Sequence, residues 1–112
     1  MGTLPGSRAR KTTVGKTPLP PLPKPDKRGY YPAIEYMQAS IAHSFIQERE
    51  AVGLTRGQLA KLAKARLSTI ARIESGEHTV SIRTYGKIDR AIEAERKRLM
   101  TVYKVTINKE LL

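Results

Sequence analysis

Apolar side chains recur at helical spacing in several separate stretches of this chain. Over residues 33–52, Ile34, Met37, Ile41, Phe45 and Val52 keep to one face, and Ala42 and Ile46 widen it. Pro32 is suited to a first helical turn and Gly53 to a stop, so the pattern predicts either one long helix or a short leading helix running into a second. Leu59, Leu62 and Ala63 predict a helix over 56–63, opened by a capping box in which Thr55 and Gln58 each satisfy a backbone N–H. Lys64, Ala65 and Arg66 leave room only for a turn. Leu67, Ile70 and Ile73 then form the inner face of another short helix, which Gly76 ends in the left-handed conformation. After a loop at 77–80, Ser81 is a good N-cap for a helix carrying Ile82, Tyr85, Ile88, Ala91 and Ile92, expected to run on as far as Leu99.

At the two ends the pattern changes. From Thr101, Tyr103, Val105 and Ile107 alternate with Lys104 and Thr106, which is strand spacing, so residues 101–112 are expected to be either a short strand or a tail. Residues 1–29 hold six of the seven prolines and few apolar side chains, which predicts a disordered tail. Within it, PLPPLPKP at 18–25 favours an extended polyproline conformation, either as a stiff spacer or as a docking peptide. Residues 26–31 read as a turn. The expected fold is all-α: a small domain of four to five helices over 30–100, with its central motif at 54–76.

Composition narrows the chemistry. With no Cys there is no disulfide, thiolate metal site or Cys nucleophile, and neither His43 nor His78 has a neighbouring ligand pattern. No metal and no cofactor are expected. Gly15-Lys16-Thr17 resembles the end of a phosphate-binding loop, but Arg10 stands where its first glycine belongs and no strand precedes it. No paired carboxylates or Ser/His arrangement suggest a catalytic cleft, so no enzyme activity is expected. No stretch is long or apolar enough for a membrane span, and a soluble, cytoplasmic, nucleoid-associated protein is expected. The net charge of +11 favours polyanionic partners through phosphate attraction and counterion release. It is concentrated in residues 1–30, where seven Lys and Arg stand against Asp26 alone. Arg8, Arg10, Lys11 and Lys16 there form either an arm along DNA or a solvated tail.

Small Ala60, then Ile70 and Ile73, and the closing Ile-Glu-Ser-Gly of residues 73–76 resemble the lambda-repressor-like (Cro-type or XRE-type) helix-turn-helix over about Ile41 to Ala94. Two positions depart from it: Lys64 stands where the family usually has Gly, and Arg66 where it usually has a capping Ser or Thr. The resemblance implies a first helix across the DNA backbone and a second entering the major groove by its N-terminal half. Arg66, Leu67, Ser68 and Thr69 would then face bases, with Arg72 one turn further on. Arg suits guanine and the hydroxyls read permissively. Leu67 would pack either on a thymine methyl or in the core. Thr55 and Arg56 lie at a helix N-terminus that favours phosphate. In the family, a polar residue at the Arg56 position also bridges to the backbone and helps orient the recognition helix. Lys64, His78 and Thr79, in flanking loops, are either phosphate contacts or solvated residues.

The implied protein is a sequence-specific repressor that binds double-stranded DNA as a homodimer on a palindromic operator, pairing through the last helix and the C-terminal strand. The leader of residues 22–42, with its Pro-Ala-x-Glu-Tyr at 32–36, is also similar to that of helix-turn-helix antitoxins of bacterial type II toxin–antitoxin modules. That similarity implies autoregulation and a protein toxin partner, an RNase of the RelE-like kind. A stand-alone or phage-type repressor, or an antitoxin acting mainly by protein–protein inhibition, is the alternative.

Overall fold

The computed structural model describes residues 17–111, which form four helices: α1 (Ala33–Ala51), α2 (Arg56–Ala63), α3 (Leu67–Glu74) and α4 (Ile82–Leu111). The expected all-α class holds, and α1 is one continuous helix. Pro32 is its N-cap, with φ −68°, and the Pro32 carbonyl accepts from the Tyr36 N–H at 2.9 Å. Before it, Asp26 organises the turn: its Oδ1 accepts from the N–H groups of Arg28 and Tyr30, both at 2.9 Å. Gly29, at φ +87°, completes the reversal.

Short helices such as α2 and α3 gain their stability from packing rather than from propensity. α3 packs on α1, α2 packs on the first half of α4, and the two short helices pack on each other around a small aliphatic core: Val52, Leu54, Leu59, Ile70, Ile73, Ile88 and Ile92 are buried. Phe45 of α1 stacks on Tyr85 of α4, with ring centroids 5.7 Å apart. Ala60 is buried where α2 meets its neighbours. Ile34, Met37 and Leu62, which share the apolar spacing of their helices, point outward instead.

The C-terminal strand is not found. Residues 101–111 continue α4, and no strand occurs among the described residues. The apolar residues there fit two periods at once, because Leu99, Tyr103 and Ile107 also recur every four residues. No Gly or Pro follows Gly86 up to Leu111, and extending a formed helix is cheaper than starting a strand that lacks a partner. Along this helix Arg98 grips Glu95 with two hydrogen bonds, holding that carboxyl below its ordinary pKa.

The leader also departs from expectation. The disorder expected of residues 1–16 lies outside the described residues. Residues 17–25 form no helix or strand, as a polyproline-type segment would, yet they lie along α1 rather than projecting from it. The Thr17 N–H donates to Glu50 at 3.0 Å, and the Pro20 carbonyl meets the His43 ring. The Pro20 ring covers Gly76 so closely that a Cβ there would lie 3.0 Å from it. Proline loses little freedom on ordering, so these few contacts suffice to hold the segment.

Candidate DNA-binding surface

The motif begins at the start of α2, where the capping box forms in full. Thr55 Oγ1 accepts from the Gln58 N–H at 3.1 Å, and Gln58 Oε1 accepts from the Thr55 N–H at 2.8 Å. Arg56 is half-exposed, and its Nε donates to Glu74 Oε1 at 2.7 Å.

Glu74 is the hub beneath this surface. Buried at the end of α3, it also takes two hydrogen bonds from Arg49 of α1: Nε to Oε2 at 2.8 Å and Nη2 to Oε1 at 3.0 Å. Arg49 is itself buried, and its remaining donors reach the Leu54 carbonyl and Thr17 Oγ1, each at 2.9 Å. Two ions removed from water at this depth are tolerable only when their hydrogen-bonding groups are satisfied, as here. The pair therefore ties α1, the end of α3 and the start of α2 into one body. Reading the sequence by its apolar residues passed over both members. The signal was present, because Arg49 shares a helical face with Ile46 and Val52, and Glu74 follows Ile70 by one turn.

At the turn, Lys64 has φ +54° and ψ +44°, and it is the one non-glycine residue with positive φ among the described residues. The backbone there closes α2 with bonds from the Lys64 N–H to the Lys61 carbonyl at 3.2 Å and from the Ala65 N–H to the Ala60 carbonyl at 3.0 Å. Lys87 of α4 donates to the Lys64 carbonyl at 3.0 Å, which adds a second lysine to this end of the motif. The Lys64 side chain stays exposed.

Arg66 is the N-cap of α3 and makes no capping hydrogen bond with its side chain. Arg66, Leu67 and Ser68 are exposed at the start of the helix, Thr69 is half-buried, and Arg72 is exposed one turn on. Leu67 is 54 % exposed, which removes core packing as its role. Ile70, Ile73 and Glu74 carry the buried face. Past the end of α3, His78 and Thr79 are exposed, and Arg72 Nη2 lies 3.5 Å from His78 Nδ1. The structure thus brings Arg66, Leu67 and Ser68 together at the head of α3 beside Lys64, and Arg72 together with His78. Thr55 and Arg56 form a separate group at the head of α2.

Residues 43–103 match the family model described as a helix-turn-helix domain, and they make up more than half of the chain. The chain belongs to the helix-turn-helix family. No curated protein and no solved structure matches it. In a helix-turn-helix, α2 is the first helix of the motif and α3 the second, and it is the second that lies in the major groove of DNA. Family membership thus makes this protein a DNA-binding regulator. No helix of the described residues is long and apolar enough to cross a membrane, and no cluster of His, Asp and Glu among them is arranged to hold a metal ion.

Proposed function

We propose that this protein is a sequence-specific transcriptional repressor that reads a palindromic operator as a homodimer, acting on the nucleoid in the cytoplasm. The exposure of Arg66, Leu67, Ser68 and Arg72 on a helix whose other face is fully packed carries this reading. Among the described residues these side chains make one hydrogen bond, from Arg72 to His78 at 3.5 Å, and each has a partner in a DNA groove. Arg66 and Arg72 suit guanine O6 and N7, Ser68 and Thr69 read permissively, and Leu67 packs on a thymine methyl. Arg56 and the N–H groups at the head of α2 take a phosphate, with Glu74 holding the Arg56 side chain by its Nε. Lys64, His78 and Thr79 take phosphates on either flank.

A second role, as the antitoxin of a type II toxin–antitoxin module, is favoured by the leader. Leu19 and Leu22 are exposed along it, and Tyr30, Tyr31, Ile34 and Met37 are exposed around the start of α1, a surface suited to cover by a small RNase toxin. The repressor would then govern its own module.

The test is binding to DNA upstream of its own gene against a scrambled duplex. A preference of about a thousandfold that survives physiological salt supports the repressor reading. Equal binding that salt abolishes would mean the net charge alone attracts DNA, and the repressor reading falls. For the antitoxin role, the product of the adjacent gene should arrest growth, and co-expression of this chain should relieve the arrest. A harmless neighbour would remove that role.

A further inference from the structure

Ile92 is the last buried residue of α4, which then continues with no buried side chain among those described. Leu99, Met100, Val102 and Tyr103 are exposed there, and with Ile107 they occupy one side of the helix at about 100° per residue. Lys97, Lys104 and Asn108 fall on the opposite side, where Val105 is the apolar exception. Three charged residues share the apolar side, Glu95 and Arg96 at its start and Glu110 at its end; Glu95 is held by Arg98, and Arg96 bonds Glu93 of its own helix.

This order is self-complementary. Arg96 and Glu110 stand equally far from Tyr103 on either side, and so do Leu99 and Ile107. A second copy laid antiparallel, with the two-fold axis at Tyr103, sets Leu99 on the partner subunit's Ile107 and Arg96 beside the partner subunit's Glu110, each contact occurring twice. A parallel arrangement would instead set Arg96 on the partner's Arg96 and Glu110 on the partner's Glu110. Both arrangements turn the lysines outward, so charge complementarity along the stripe selects the antiparallel one. We infer that this side of α4, between Arg96 and Glu110, is where two copies of the chain join, antiparallel about Tyr103.

The inference rests on the homodimeric-repressor reading and gives that dimer its surface. At 1.5 Å per residue, such pairing places Ile92 and the partner's Ile92 about 33 Å apart along the helix axis. The apolar stripe, with no cover in the monomer, finds it in the second copy.

The absence of cysteine makes the geometry directly testable on the full chain. Sedimentation without DNA should show a dimer. Under a short thiol crosslinker, Tyr103→Cys should couple to itself, and Leu99→Cys should couple to Ile107→Cys but not to itself. Glu110→Lys, an exposed substitution outside the core, should raise the dimer Kd about tenfold, and adding Arg96→Glu to the same chain should restore it. Self-coupling of Leu99→Cys would mean parallel helices and overturn the proposal, as would a dimer indifferent to Glu110→Lys. A monomer that still discriminates the operator would overturn the interface and leave the repressor reading intact. A dimer of this geometry without operator preference would do the reverse.

Discussion

Arg56 and Glu74 are joined at 2.7 Å across the motif, one at the head of α2 and the other buried at the end of α3. Because Glu74 also binds Arg49 of α1 at 2.8 Å, Arg56, proposed above to take a phosphate, is coupled to the packing of three helices. Removing different members of this trio should therefore have different costs. Glu74→Ala takes from buried Arg49 its hydrogen-bonded counter-ion, leaving only Glu50 at 3.9 Å, and should destabilise the fold by about 3 kcal/mol. Arg56→Ala removes a partly exposed partner, leaves the Arg49–Glu74 pair intact, and should cost about 1 kcal/mol or less. Urea unfolding of the two variants checks the contrast, and equal losses would show that Arg49 is not the group Glu74 chiefly serves.

Lys64 occupies the left-handed region at the turn, where a side chain costs about 1–2 kcal/mol relative to glycine. Glycine returns part of that through the greater freedom of the unfolded chain, about 0.4–1 kcal/mol. Lys64→Gly should therefore raise stability by roughly 0.5–1 kcal/mol. The bond from Lys87 survives because it reaches the backbone carbonyl. If the Lys64 side chain also meets a phosphate, the same variant should bind DNA less tightly with a shallower salt dependence, separating the two effects.

The features legible in the sequence are the local ones. The Thr55–Gln58 capping box, Gly76 at φ +77° and the Ser81 cap, whose Oγ accepts from the Thr84 N–H at 3.1 Å, each depend on residues a few positions apart. The inward faces of Ile70 and Ile73 follow from helical period alone. Arg49 and Glu74 escaped because their pairing joins separate helices, and a charged residue on an apolar face reads as noise until its counter-ion is found. The leader escaped for a different reason: its anchors include the Pro20 carbonyl and the Thr17 N–H, backbone groups that every residue type carries. The end of α4 was ambiguous in principle, since its apolar residues satisfy a helical and a strand period equally.

The docking of the leader can be measured through two glycines of the same conformation. Gly53 and Gly76 both have φ +77°, but a Cβ at Gly53 meets nothing within 4 Å, whereas one at Gly76 meets Pro20 at 3.0 Å. Gly53→Ala should cost about 1–2 kcal/mol from backbone strain alone. Gly76→Ala should cost more, and a chain lacking residues 1–25 should bring the two losses together. Equal losses in the full chain would mean that the leader does not press on the end of the recognition helix.

Arg72 lies one turn beyond the head of α3, exposed beside His78. Arg72→Ala should weaken operator binding by about 1–3 kcal/mol and relax base choice at one position while leaving stability nearly unchanged. Binding to a set of operators, each altered at one base pair, would reveal the relaxed position. An affinity loss uniform across all of them would reassign Arg72 to a phosphate.

Arg66 offers the sharpest separation of stability from recognition, because the two should move in opposite directions. As the N-cap of α3 it leaves the first N–H groups without a side-chain acceptor. Arg66→Ser supplies one, and should stabilise the fold by about 1 kcal/mol. For a domain with a folded core of sixty to a hundred residues, that raises Tm by roughly 4–8 °C. The same change removes a guanidinium from the head of the recognition helix, so specific binding should fall by about 1–3 kcal/mol. Thermal unfolding and operator titration on one preparation give both quantities. A gain in stability with unchanged DNA affinity would mean that Arg66 contacts no base. A loss in both would mean that its side chain supports the fold in a way the missing cap does not reveal.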